Sequence, residues 1–578
     1  MGRFAHEVLK ALRAERSAAT RPLKARVADV TVSTKRTLAT FNLPEGRSGL
    51  SDDMEGHTVY WETGVGTVLA MDASVNQLHV RDITGALPSR GATISIRPPD
   101  FVSRLLEVWA PEENYRQFES LYEKLSERGA GLAKTIPDLQ SLFPACNVQQ
   151  GRCSSLTHFS PAFLWGPPGT GKTSSLGRLI AALLARTDLR VLMVSNTNVA
   201  VDLCMIAAVR GLREIGRGDI VQKCLRLGTR ADPAMYTDNK CEAVVEPDAV
   251  RKGILKRLSN HMEKEPDDSS PLEERDAWVK EEENLRQQLQ ARAVELLRCK
   301  RFAALTFSRG FFEYEAVKSA AFDQLVVDEA GQVGQAAVLP FLPLTKGWLF
   351  AGDHQQLAPI VQTQSAEAEE WLGTSLLERF ADESEPNTIL LEEQYRMSEP
   401  ICASVSKHFY GGRLRVADAL RTDTAWQKRR DFRPCRNLGR GAMVCLDIES
   451  EAEGHHEYGK GYIRKESAMR CVEAVMTLLG PTHNVGPEEI AVITVYRAQR
   501  RLIWKMLLEF AKGQPGLTKD LLVSTVHALQ GGERPHIIFD PVAGNGRFVV
   551  DQLGPRIVNV ALSRTMTRFI CTLSQSCL

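Results

Sequence analysis

The chain has 578 residues, of which 43% are hydrophobic and 25% are charged, as in an ordinary globular protein. Lys and Arg number 72 and Asp and Glu 71, so the net charge of +1 excludes a protein coated in basic surface. A local basic groove stays open, because net charge says nothing about how charge is distributed. No apolar run approaches the roughly 18 residues that cross a bilayer, so we expect no membrane partner. We expect a cytoplasmic location, or a nuclear one if the source is a eukaryote.

The N-terminal quarter is predicted to hold three small units. Residues 1–56 form a helical or irregular segment, since apolar residues recur at every fourth position from Phe4 to Leu12. Residues 57–100 contain short runs rich in Val, Thr and Ile that are separated by glycines, which predicts a small β-barrel. Residues 101–144 return to helical spacing and are predicted to form a helical stalk.

The remainder alternates buried strands with helices in two blocks, which predicts an α/β fold with parallel sheets. The first lobe covers residues 145–247 and 301–390, and the second lobe covers residues 391–578. Between the two parts of the first lobe, residues 248–300 are predicted to form a helical hairpin that is interrupted by prolines. That hairpin is either a binding element for a protein partner, like the predicted barrel, or a solvated insertion without function.

A glycine-rich segment between an apolar strand and a helix carries the strongest local signal. It has the form G-x-x-x-x-G-K-T, in which backbone N–H groups surround phosphate oxygens. Lys172 adds a point charge to the β- and γ-phosphates, and the Thr173 hydroxyl is a ligand for Mg²⁺. We therefore predict that a nucleotide contacts Gly166, Pro167, Pro168, Gly169, Thr170, Gly171, Lys172 and Thr173.

Two carboxylates follow the apolar run Leu325–Val327 at the end of a predicted strand. Asp328 is placed to hold Mg²⁺, and Glu329 to polarise an attacking water, so hydrolysis is the expected reaction.

Three further segments place polar groups at the ends of predicted strands or in short motifs. Gln356 is placed to sense the γ-phosphate or the water, and Tyr395 supplies an aromatic ring for base stacking. Arg396 and Arg564 supply two positive charges for the γ-phosphate, the second from the C-terminal block. Such arginines increase the rate of phosphoryl transfer and would make hydrolysis sense closure of the two blocks.

This ordered set resembles the superfamily 1 helicases, in particular the 1B branch that includes the nonsense-mediated-decay helicase and its DNA-acting relatives. The resemblance covers roughly residues 145–573, with Val495 where Pro is usual and His527 where Asp is usual. The matching segments, in order from motif I to motif VI, are Gly166–Thr173, Ser195–Asp202, Asp328–Gln332, Gly352–Pro359, Gln394–Met397, Val492–Gln499, Thr525–Glu533 and Val558–Arg564.

The resemblance implies two RecA-like motor domains with ATP and Mg²⁺ between them, a 1B-type barrel and a 1C-type insertion. It implies that Gln150 reads the adenine and that Tyr395 and Glu533 also contact the nucleotide. It implies a single strand of DNA or RNA that crosses both lobes and is contacted by Thr197, Asn198, Val199, Thr494, Tyr496, Arg497, Thr525 and His527.

The expected function is that of an ATP-dependent helicase or translocase on single-stranded nucleic acid, with 5′-to-3′ movement implied by the resemblance. The alternative is an ATP-switched clamp or remodelling subunit that binds nucleic acid without processive unwinding. Both functions need Lys172 and Glu329. A transporter ATPase or a small GTPase is disfavoured, because neither a transporter signature nor a guanine-reading N-K-x-D is found.

Overall fold

The architecture is taken from a computed structural model. It describes residues 2–19, 23–32, 38–43, 58–72, 77–97, 101–127, 129–132, 136–228, 231–245, 253–254, 257, 261, 271–363, 365–432, 438–449, 453–454, 462–481, 483, 485–511, 520–526, 532–542 and 553–573.

The first lobe is built on a seven-stranded sheet in which all neighbouring strands are parallel. Its central strands are buried at every position, as expected of a parallel sheet with helices on both faces. Alternate side chains separate onto two cores; Leu325 and Val327 point to one and Val326 to the other. In spatial order the strands are Cys224–Arg226, Phe302–Thr306, Val191–Ser195, Gln324–Asp328, Gly347–Gly352, Ala162–Trp165 and Thr388–Leu390.

Helices cover both faces of this sheet and share the two cores with it. Lys172–Arg186 and Asn198–Glu214 pack against one another on one face. Further helices of the lobe are Leu139–Leu142, Val148–Arg152, Pro233–Asp238, Phe307–Phe312, Tyr314–Ala320, Gln335–Val338, Ala366–Ala368 and Leu376–Phe380.

The second lobe contains a five-stranded sheet, again with parallel neighbours throughout. The prediction of an α/β fold with two parallel-sheet lobes is therefore confirmed. In spatial order its strands are Met443–Asp447, Thr565–Leu573, Arg534–Asp540, Ile490–Thr494 and Leu522–Thr525. Its helices are Glu399–Phe409, Asp418–Arg421, Thr424–Lys428, Lys465–Leu479, Arg497–Phe510 and Leu553–Ser563.

Seven antiparallel strands near the N-terminus enclose one small core that contains Phe41, Trp61 and Ile96. The prediction that this unit begins at residue 57 is wrong. Residues 1–56, predicted to be helical or irregular, contain strands of the same sheet. Three strands that precede residue 57 belong to the same sheet. Leu23 of the first strand pairs with Ile96 of the last strand. The strands are Leu23–Arg26, Asp29–Val32, Leu38–Asn42, Thr58–Trp61, Gly64–Asp72, Gln77–Gly85 and Thr93–Arg97.

Three helices attach this sheet to the first lobe, namely Arg3–Ala19, Phe101–Trp109 and Glu112–Lys124. They share a hydrophobic core with the lobe, and the Trp109 indole N–H donates to the Ala336 carbonyl at 2.8 Å. The predicted stalk is thus packed on the lobe along its length.

The charged insertion contains one long helix, Leu272–Arg298. The preceding part of the predicted hairpin falls mostly outside the described residues. Where it is described, it contacts the helix: the His261 and Trp278 rings stack with 4.9 Å between centroids, and Arg257 donates to Gln288 at 2.8 Å. Among the helices that the structure describes, none has the length and apolarity needed to cross a bilayer.

Candidate active site

A cleft of about 360 Å³ lies between the two lobes and is lined by residues of both. The first lobe contributes the phosphate loop, Glu329 and Gln356. The second lobe contributes Tyr395, Arg396, Glu533 and Arg564. The structure therefore brings together residues that lie almost 400 positions apart in the sequence.

The phosphate loop joins the end of the strand Ala162–Trp165 to the start of the helix Lys172–Arg186. Gly169 and Gly171 have φ angles of 76° and 77°, which only glycine adopts without strain. A Cβ at Gly169 would also lie 2.8 Å from the Arg396 Cβ, so this glycine lets the two lobes approach each other. The free N–H groups of the helix start favour an anion here.

Lys172 forms ion pairs with both predicted carboxylates. Its Nζ donates to Asp328 Oδ1 at 2.6 Å and to Glu329 Oε1 at 2.9 Å. Burial alone would lower the pKa of the Lys172 ammonium, but the two carboxylates outweigh burial and raise it. The lysine therefore stays charged at neutral pH and available to phosphate oxygens.

The two carboxylates differ in their surroundings. Burial raises the pKa of the fully buried Asp328 despite its ion pair with Lys172. Burial would likewise raise the pKa of Glu329, but Lys172 and Arg564 lower it below its usual value. Glu329 is thus held as a carboxylate, the form required of a group that accepts a proton from water.

Glu329 occupies a strained backbone conformation, with φ 55° and ψ 37°. Non-glycine residues in this left-handed region are uncommon and concentrate at functional sites. The conformation turns the side chain into the cleft, where its Oε2 accepts from the Gln332 amide at 2.9 Å. Gln332, at the end of the motif segment Asp328–Gln332, thus orients this carboxylate, a role that the sequence did not indicate.

A cation fits beside Asp328. Its Oδ1 accepts from Lys172 and from the Glu329 N–H, whereas Oδ2 is buried without a hydrogen-bond partner among the described residues. A buried carboxylate oxygen without a partner is costly, and a hard divalent cation would satisfy it. Thr173, the other predicted Mg²⁺ ligand, lines the same cleft.

Both predicted arginines face the cleft from the second lobe. Arg396 donates through Nε to Glu533 and through Nη1 to the Ser563 carbonyl at 3.1 Å. Arg564 donates to Gln356 Oε1 at 3.5 Å, across the boundary between the lobes. Burial and the neighbouring Arg396 lower the pKa of Arg564 to about 10, so it remains charged at neutral pH.

Tyr395 forms part of the cleft wall and is fixed at both ends. Its backbone N–H donates to the Gly169 carbonyl at 2.9 Å, and its hydroxyl accepts from Asn147 Nδ2 at 2.9 Å. Sequence reasoning missed Asn147, although the pattern Asn-x-x-Gln is a helix-capping signal that points to an ordered side chain at this position.

Gln150 does not line the cleft, contrary to the adenine-reading role implied for it. Its side-chain carbonyl accepts from the Asn147 N–H at 3.2 Å, and its Nε2 donates to the Thr170 carbonyl at 3.0 Å. Both ends of the carboxamide are therefore used inside the protein, and the side chain is buried. Gln150 fixes the phosphate loop to the preceding helix.

The residues predicted to contact nucleic acid separate into several groups. Thr197 and Val199 line the cleft, and the Val199 side chain is exposed. Asn198 accepts from the buried Arg226 at 2.8 Å, and the Thr494 side chain is fully buried, so neither side chain is free on the surface as predicted.

Tyr496, Arg497 and Thr525 are half-buried at the carboxyl ends of second-lobe strands, whereas His527 lies outside the described residues.

Comparison with known families agrees with this two-lobe arrangement. Two family models, each described as an AAA domain, match residues 147–304 with 310–364 and residues 372–574. Each match corresponds closely to one lobe.

Two fungal proteins are similar over most of this chain. It is 28% identical over 413 residues to the ATP-dependent helicase NAM7 of Saccharomyces cerevisiae, covering 70% of this chain and 39% of that protein. It is 27% identical over 452 residues to the ATP-dependent helicase upf1 of Schizosaccharomyces pombe, covering 74% of this chain and 44% of that protein. The chain thus spans less than half the length of these relatives.

Among solved structures, the arterivirus nonstructural protein 10 helicase is 12% identical, with a TM-score of 0.39, and the match covers 98% of this chain and 79% of that one.

Proposed function

Because the chain belongs to the Upf1-like superfamily 1 helicases, we propose that it hydrolyses ATP between its lobes and uses the energy to move along single-stranded nucleic acid. One observation supports this proposal most directly: Lys172 and Glu329 of the first lobe and Arg396 and Arg564 of the second line a single cleft. A phosphate in this cleft would be surrounded by charges from both lobes.

The chemistry follows from the positions of these groups. Lys172 and the loop N–H groups bind the phosphates, and Arg396 and Arg564 stabilise the negative charge on the transferred phosphoryl group. Glu329, oriented by Gln332, accepts the proton of the attacking water. Thr173 and Asp328 would hold Mg²⁺, which when bound neutralises charge on the phosphates.

Movement requires that hydrolysis changes how the lobes lie relative to each other. Arg396 and Arg564 interact with a nucleotide only while the lobes are closed, so loss of the γ-phosphate weakens the closed form. The strand would bind along Tyr496, Arg497 and Thr525 on the second lobe, where a half-buried aromatic ring and a positive charge suit bases and phosphates. We propose 5′-to-3′ movement, which the likeness to the 1B branch supports.

Unwinding of tailed duplexes tests this function. Purified protein with ATP and Mg²⁺ is given DNA and RNA duplexes that carry a 5′ or a 3′ single-stranded tail, with Glu329→Gln as the inactive control. We expect strand separation from 5′-tailed duplexes and none with the control variant. Nucleic-acid-stimulated ATP hydrolysis without strand separation would instead identify an ATP-switched clamp, and separation from 3′ tails alone would overturn the polarity.

A further inference from the structure

A buried polar network joins the two lobes behind the cleft. At its centre is Asp353 of the first lobe, which is 2% exposed. Its Oδ1 accepts from the Trp165 indole at 3.0 Å and from the Gln355 N–H at 3.1 Å. Its Oδ2 accepts from Gln356 Nε2 at 2.8 Å and from the Tyr410 hydroxyl at 2.6 Å. Asp353 therefore sets the position of Gln356, which faces the cleft.

The second-lobe side of the network runs through Tyr410 and Asn559. Tyr410 follows the helix Glu399–Phe409, and its hydroxyl accepts from Asn559 Nδ2 at 2.9 Å. The same Asn559 amide donates to the Gln355 carbonyl at 2.8 Å. Asn559 lies on the helix Leu553–Ser563, which ends immediately before Arg564.

The two halves of this network meet again at the cleft, where Arg564 donates to Gln356 at 3.5 Å. The helix that precedes Arg564 and the loop that carries Gln356 are thus linked through Asn559, Tyr410 and Asp353. Tyr410 and Asn559 are buried, and Trp165 packs beside Tyr410 with 6.3 Å between ring centroids. Water therefore has little access to replace a missing hydroxyl here.

On the basis of the proposed function, we infer that Tyr410 is a positioning residue for ATP hydrolysis. Its hydroxyl bridges Asp353 and Asn559, and so fixes Gln356 and Arg564 in their places relative to each other. Neither Tyr410 nor Asn559 lines the cleft, so both act through other residues. The inferred role is in the rate of the chemical step rather than in ATP binding.

Steady-state ATP hydrolysis in Tyr410→Phe tests this inference, because the change removes one oxygen atom and keeps the ring. We expect kcat to fall about tenfold or more, since small displacements of reacting groups are costly. KM for ATP should stay within about twofold, since no cleft residue is altered. Tyr314→Phe is the matched control, because Tyr314 is also buried and donates to the Pro340 carbonyl at 2.7 Å within the first lobe. It should keep wild-type kcat.

A double-mutant cycle separates positioning from a general structural role. In a Gln356→Ala background, Tyr410→Phe should change kcat by less than about twofold, because both changes disturb the same arrangement. Independent losses that multiply would overturn the inference, as would wild-type kcat in Tyr410→Phe. If Tyr410→Phe does not fold, Asn559→Ala removes the same bridge from the other side and should show the same pattern.

The wild-type measurement distinguishes the two proposals. If wild-type protein shows no ATP hydrolysis with single-stranded DNA or RNA, the proposed function fails. If wild-type protein is active and folded Tyr410→Phe keeps wild-type kcat, the inference about Tyr410 alone fails.

Discussion

Lys172 and Asp328 form an ion pair with 2.6 Å between Nζ and Oδ1, and both side chains are at least nine-tenths buried. The pair places the cation of the phosphate loop directly beside the carboxylate predicted to hold Mg²⁺. Lys172→Ala should therefore reduce ATP turnover at least about 100-fold, as expected when a preorganised charge is removed. Turnover is measured by phosphate release at saturating ATP.

Lys346→Ala is the control for this change. Lys346 forms an ion pair with Asp323 at 2.9 Å at the same sheet, but its side chain is 74% exposed. An exposed pair contributes about 0–1 kcal/mol and lies away from the cleft, so turnover should be unchanged. Near-normal turnover in Lys172→Ala would show that this loop does not bind the reacting phosphate.

Arg564→Ala should reduce kcat by about a thousandfold or more and leave nucleotide affinity within a few fold, because an arginine finger acts mainly in the transition state. Arg415→Ala offers a comparison in the same lobe: Arg415 pairs with Glu393 at 2.9 Å and is 50% exposed. Affinity is measured with a fluorescent ATP analogue, and kcat by phosphate release. Normal turnover in Arg564→Ala would contradict the assignment of this arginine to the γ-phosphate.

Gln150→Ala distinguishes loop fixing from base reading. Since both ends of the Gln150 carboxamide are bonded within the protein, the variant should lose kcat/KM for ATP and for GTP by similar factors. Gln149→Ala is the control, because its amide bonds to Glu392 rather than to the loop. A loss confined to ATP would mean that Gln150 contacts the adenine after all.

The buried His536 should make the stability of the folded protein depend on pH. Burial, together with Arg568 and His483, lowers the pKa of His536 to about 4, against an ordinary value near 6.5. The unfolded protein binds a proton at His536 more readily than the folded protein does, so protonation favours unfolding. The contribution of neutral His536 to the free energy of unfolding is therefore present above pH 6.5 and is lost as the pH falls toward 4. From pH 7.5 to pH 5 the loss is about 2 kcal/mol. Urea unfolding of wild type and His536→Phe checks this, and an equal pH dependence in both would contradict it.

The sequence identified the cleft residues well, because each belongs to a short motif next to a strand of a parallel sheet. Lys172, Glu329 and Gln356 follow apolar runs that form parallel strands. The carboxyl ends of parallel strands lie at the same edge of the sheet, regardless of how the chain connects them. The second lobe adds Arg564 directly after a helix of the same kind of fold.

Features that depend on distant pairing were not visible in the sequence. The strands Leu23–Arg26 and Leu38–Asn42 are short and mostly polar on one side, and each has a partner strand far along the chain, Thr93–Arg97 and Gln77–Gly85 respectively. Glu15 of the N-terminal helix accepts from the N–H groups of Gln362 and Thr363 at 3.0 and 3.1 Å, a contact that no local pattern predicts. The bond from Gln150 to the Thr170 carbonyl was not predicted either, since it depends on a side-chain rotamer.

Coupling of ATP hydrolysis to single-stranded nucleic acid is measured most directly by the ATP turnover rate with and without a single-stranded oligonucleotide of DNA or RNA. In wild-type protein we expect the oligonucleotide to raise this rate about fivefold or more, a typical size for coupling between two sites. In Lys172→Ala we expect no rise. A wild-type rate that responds to neither oligonucleotide would show that the cleft is not coupled to single-stranded nucleic acid.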